Sequence, residues 1–159
     1  MPLTIITGKY ETGTHEQKDD IGKIIGNENT AYDFTLYFHW FNVMHEFGHA
    51  ICNYNIQNKE DYFNQSFAMQ EPLVNDFAVA YWVYYGEQEK LNYLKHMVTK
   101  AFSRFKNPAP GIHYIDYAIT NWNNPDFWTF NNYGWFQFSC VRNSLSNPKT
   151  LKEMLLSTS

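Results

Sequence analysis

Residues 41–55 read FNVMHEFGHAICNYN, and within them His45, Glu46 and His49 stand at the spacing H-E-x-x-H. The fold turns on whether this stretch is a helix. An α-helix advances about 100° per residue, so His49 lies only about 40° round from His45, one turn further along. Both imidazoles then project from one face. On the same wheel Trp40, Val43, Met44, Phe47 and Ile51 gather between about 160° and 260° from His45. The spacing predicts a helix with an apolar stripe on one side and both histidines on the other. Glu46 falls about 100° round, offset from the line of the two histidines. Two neutral imidazoles can hold an ion while a neighbouring carboxylate handles a proton, the division of labour in zinc-assisted hydrolysis. The competing reading is a pair of structural histidines that happen to lie four apart.

Working outward, Thr30 is placed to cap a helix from about Ala31 to Asn53. Leu3–Thr7 is β-branched and apolar and predicts a short strand. Residues 8–30, rich in Gly, Asn, Thr and charge, read as loop or weak structure, and 54–66 as a polar connector. A second helix is expected from near Glu71 to Tyr85, with Pro72 at a first helical position where its missing N–H costs nothing. Gly86 punctuates, and Glu87–Phe105 reads as a third helix. KNPAPG at 106–111 breaks the chain, because two prolines and a glycine cannot continue a helix. Ile112–Trp122, Tyr133–Leu145 and Pro148–Leu156 complete the helical set, with a loop at 123–132. The expected fold is α+β and mostly helical, a single domain over 1–159 with a small N-terminal sheet.

A third ligand is suggested further along. The stretch EPLVNDFAVAYW places Glu71, Val74, Asn75, Phe77 and Ala78 in the order E-x-x-[AV]-N-x-F-A. Zinc peptidases with a Glu as third ligand take it from a helix after the histidine helix. HEFGH together with this downstream pattern resembles the zincin metallopeptidases of the ImmA/IrrE type. Members of that family cleave or otherwise inactivate bacterial repressors. The resemblance covers about residues 40–80. It implies a zincin-like fold and one zinc ion held by His45, His49 and Glu71. Glu46 would act as general base and later proton donor. Asn75 occupies the place of the family's Asp or Asn beside a ligand histidine. Asp76 is the alternative carboxylate for fixing a ligand tautomer. Two departures stand out. Family members often carry a strand before the histidine helix, where this chain has DFTLYFHWFNVM, which reads as helix. Pro72 also biases Glu71 away from helical backbone angles.

Other branches are tested by the same residues. A metzincin requires Gly three and His six residues after the second histidine, and those positions hold Cys52 and Asn55. Cys52 returns to nearly the face of His45, as a substitute ligand, an oxidation site or a packed small residue. His113, Tyr114 and Tyr133 are candidates to stabilise an oxyanion, against purely structural roles. The aromatic stretch 121–137 reads either as a lid on the core or as the wall of a peptide cleft.

Composition narrows the classes. The formal net charge of −4 offers no basic footprint for nucleic acid. No apolar run reaches a membrane span, and the start MPLTIITGKYETG lacks a signal-peptide pattern, so a cytoplasmic protein is expected. Two cysteines are too few for a disulfide framework. The expected function is zinc-dependent hydrolysis of a peptide or protein substrate. The alternative is a zincin-like binding protein that keeps the ion and grips a partner without cleaving it.

Overall fold

The computed structural model describes residues 4–26, 28–56 and 67–157. Helices run over His15–Ile25 (α1), Thr30–Thr35 (α2), Asn42–Ile56 (α3), Phe67–Tyr84 (α4), Gln88–Phe102 (α5), Tyr114–Asn121 (α6), Phe130–Ser146 (α7) and Leu151–Ser157 (α8). A π-helical turn, Leu36–Phe41, joins α2 to α3 without a break. Short 3-10 turns lie at Tyr10–Thr12 and Pro125–Trp128.

Among the described residues there is no strand, so the α+β expectation with its zincin-like N-terminal sheet is corrected to an all-helical fold. Leu3 lies outside the described residues, and residues 4–9 carry no regular structure. A sheet needs a partner strand to satisfy its backbone groups. This segment docks on a helix instead. Gly8 N–H donates to the Phe38 carbonyl at 2.9 Å, and Thr7 Oγ1 meets His39 Nδ1 at 2.7 Å.

The loop expected across 8–30 is also corrected, because α1 lies inside it. Thr14 and Gln17 form a capping box, each side chain bonding the other's backbone N–H at 3.1 and 2.9 Å. Ile21, Ile24 and Ile25 then recur at helical spacing and bury in the main core. That core also takes in Phe34, Leu36, Phe41, Trp82, Leu94 and Phe138 from the surrounding helices.

Helix α4 is the axis of the molecule. It packs against α3, α5, α6, α7 and α8, and is buried round nearly its whole circumference, as a helix without a polar face must be. It begins at Phe67, four residues before its expected start, and Pro72 sits inside it. Tertiary packing sustains that extra turn. Ala68 is fully buried in a second core with Ala118, Phe127, Trp135 and Phe136, and Gln70 is buried beside it.

Helix α3 buries a different face from the one its apolar stripe suggests. His45, Gly48 and Cys52 form its buried line, continuing Phe41 of the π turn, while Trp40 of that turn and Phe47 are each 39% exposed. The histidine side faces α4.

Candidate metal centre

Glu71 enters the site because α3 and α4 approach each other closely at Gly48. Nothing larger fits there: a Cβ on Gly48 would lie 3.0 Å from Val74 Cβ. One residue beyond Gly48, and one helical turn before Val74, the ligand candidates meet. His45 Nε2 lies 3.4 Å from Glu71 Oε2, and His49 Nε2 lies 3.6 Å from Glu71 Oε1. One donor atom from each of the three residues falls within 4.8 Å of the others. Zinc bonds of about 2.0–2.2 Å in a tetrahedron separate neighbouring donors by roughly 3.3 Å. Both separations, each to its own carboxylate oxygen, are close to that edge, so the donor set could hold such an ion.

The surrounding hydrogen bonds fix the chemical state of His45. The Asn75 amide donates to the Glu71 carbonyl at 2.8 Å and to Gln137 Oε1 at 3.2 Å. Its Oδ1 is thereby turned to accept from His45 Nδ1, at 3.3 Å. With Nδ1 engaged by Asn75, Nε2 is the ring nitrogen that faces the cluster, where a bound metal would take its lone pair. Gln137 performs a matching task on the carboxylate. Its Nε2 donates to Glu71 Oε2 at 2.6 Å and to the Tyr133 hydroxyl oxygen at 2.8 Å. His45 Nε2, His49 Nε2 and the Glu71 carboxylate converge here, and a cation between them would balance the carboxylate charge.

The titration behaviour has the same origin. Burial opposes ionisation of Glu71, but hydrogen bonds and charge from His45 and His49 outweigh it and hold the carboxyl well below the usual range. Burial likewise opposes protonation of His49. Glu71, then Glu46 and the Gln70 side chain, overcome it and raise the imidazole above its ordinary value.

No family model, curated protein or solved structure matches this chain. The likeness to the ImmA/IrrE type therefore stands on the motif residues alone.

The structure distributes the remaining candidates unevenly. Glu46 is partly exposed, and its charge acts on both His49 and Tyr133. Tyr133 joins the network through Gln137, and burial with the nearby Glu71 raises its phenol. Asn75 reaches His45, whereas Asp76 turns the other way, accepting from Ser144 and pairing with Lys149 at 2.7 Å. His113 is exposed and caps α6, its Nδ1 accepting from the Ile115 N–H at 3.4 Å. Tyr114 packs on Phe136 and lies close enough to Cys140 and Asp76 for their charge to act on it. Neither His113 nor Tyr114 joins the hydrogen-bonded network. His39 is held by Thr7. Cys52 is buried against Val74 as a packed side chain, and burial raises its thiol.

Sequence reasoning missed Gln137 and Gln70. Gln137 carried a signal: it lies four residues after Tyr133 in an expected helix, which puts the pair on one face. Gln70 precedes the expected start of its helix, and no signal marked it.

Proposed function

We propose that this protein is a zinc-dependent metallopeptidase acting on peptide bonds of a protein or peptide substrate, with an activity of the ImmA/IrrE type. One observation carries the reading: His45, His49 and Glu71 converge at ligand spacing with Glu46 beside them. His45, His49 and Glu71 would hold the ion. A zinc ion bound there would supply an acidified water and polarisation of the scissile carbonyl.

The chain's own groups do the rest. Asn75 orients His45 so that its Nε2 would be presented to a bound ion. Gln137 keeps Glu71 Oε2 in place. Glu46 removes the proton from the attacking water and passes it to the leaving amine. Tyr133 accepts from Gln137, so its own hydroxyl proton is available to a developing oxyanion.

The test is metal analysis paired with turnover. The wild-type protein should bind one zinc per chain. Glu46→Gln should keep that zinc and lose cleavage, whereas Glu71→Ala should lose the zinc. Unchanged turnover in Glu46→Gln would exclude it as the base.

A second reading is metal-dependent binding without hydrolysis. The absence of a strand edge among the described residues favours it, because an extended substrate then has no sheet to pair with. A full zinc site with no cleavage across a broad peptide library would select it.

Among the described residues no helix is long and apolar enough to cross a membrane. We propose that the protein acts in the cytoplasm, a reading that the free, buried thiols of Cys52 and Cys140 support.

A further inference from the structure

Beside the metal centre a cavity of about 380 Å³ opens between α1, the π turn and α7. Two of its lining residues, Tyr133 and Gln137, belong to the hydrogen-bonded network around Glu71. The other walls are largely aromatic and include Phe38, Phe105, Phe130 and Phe138. Among the described residues Glu16 is the one charged residue in the lining, and it is exposed. Phe130 and Trp128 are also partly open to solvent, at 38% and 50%.

We propose that this cavity is the side-chain subsite of the metal centre, and that it takes a large apolar residue of the substrate, aromatic or leucine. The proposal rests on the metallopeptidase reading for its placement along a peptide. Three observations carry it. The volume lies at the lower end of ligand-sized pockets, enough for a large side chain. The aromatic walls reward apolar burial and charge a desolvation cost to polar side chains. The shared residues place an occupant beside Tyr133 and Gln137, on the side of the network that leads to Glu71. Glu16 adds a bias against acidic side chains.

The experiment reads binding, so it does not depend on hydrolysis. N-acetyl methylamides of Phe, Leu, Ala and Asp are titrated into the full chain, with and without zinc, and followed by chemical-shift changes. In the wild type the Phe and Leu probes should bind at least about tenfold tighter than Ala, and Asp weakest. Phe130→Asp should abolish that preference while zinc stoichiometry stays the same. Phe130 is partly exposed, with a ring contact to Phe105, so this variant is expected to fold. Glu16→Gln, at an exposed position, should narrow the gap between Ala and Asp. Equal binding of Phe and Ala by the wild type overturns the subsite, as does a preference that survives Phe130→Asp. Selective binding of Phe and Leu probes with no cleavage of matching peptides sinks the hydrolytic reading and leaves the subsite standing.

Discussion

Gly48 lies against Val74 so closely that a methyl group on it would sit 3.0 Å from Val74 Cβ and 3.2 Å from Val74 Cα. The second distance involves backbone, so rotating a side chain does not relieve it. Gly48→Ala must push α3 away from α4, and those two helices carry the three ligand candidates. The expected cost is about 1–3 kcal/mol of stability, as for other overpacked contacts. Zinc affinity should fall with it. Urea denaturation of the metal-free protein and a zinc titration check the two effects separately. A destabilised variant with wild-type zinc affinity would break the link between this contact and the metal centre.

Asn75→Ala removes the acceptor that fixes His45 and leaves Glu71 and Gln137 short of a partner. Loss of such an orienting group costs about tenfold to a hundredfold in metal affinity. The unpaired buried groups cost a further 1–3 kcal/mol or about that in the metal-free protein. Competition with a chromophoric chelator measures the first, and chemical denaturation the second.

Asp76→Ala provides the contrast. Asp76 accepts from Ser144 and pairs with Lys149, which is half exposed. Solvent screening weakens that ion pair, so the expected loss is about 1–2 kcal/mol of stability. Zinc affinity should be unchanged. A marked drop in affinity would return Asp76 to the ligand-orienting role suggested by its place in the sequence.

The pH dependence follows from two opposed shifts in the metal-free chain. Glu71 is lowered from 4.5, so the stability it contributes is present above that value and lost as pH falls through its depressed one. His49 is raised from 6.5, so its contribution is full below that value and lost as pH rises through the elevated one. The pair therefore stabilises the metal-free protein most between 4.5 and 6.5. Zinc binding has the opposite slope at neutral pH, because the ion requires His49 without its proton. The gain in melting temperature on adding zinc should grow from pH 6 to pH 8. Saturation at a hundred times the dissociation constant corresponds to about 2.7 kcal/mol. A gain independent of pH across that range would remove His49 from the ligand set.

The placement of both histidines on one helical face was legible in the sequence, whereas the α+β fold class was not, and is corrected to all-helical among the described residues. The four-residue spacing of His45 and His49 puts two imidazoles on one helical face wherever that helix packs. The breaks at Gly86 and KNPAPG fall between helices, as expected. The stripe of Trp40, Val43, Met44, Phe47 and Ile51 misled, because apolar periodicity does not record which neighbour arrives. Met44 joins the main core and Ile51 packs with Phe77 and Met154, while Trp40 and Phe47 remain partly exposed. The strand expected at Leu3–Thr7 rested on local propensity, which does not supply a partner strand. Helix α1 was hidden because its capping residues, Thr14 and Gln17, also suit a polar loop. The early start of α4 depends on Ala68 meeting Phe127 and Phe136, a contact between residues far apart in the chain.

The π turn at Leu36–Phe41 carries one residue more than an α-helical path of the same hydrogen bonding would need. Deleting a single amino acid there would restore a regular helix and spare its backbone bonds. Because the π turn winds more slowly per residue, the helix beyond it keeps its phase relative to α2 through that deletion. Tightening the same six residues into a regular α-helix would instead carry everything downstream about 100° further round. With the upstream half anchored by Phe34 and Leu36 in the core, both imidazoles would then swing off the Glu71 carboxylate. The slack in this one turn thus sets the angular phase of the histidines.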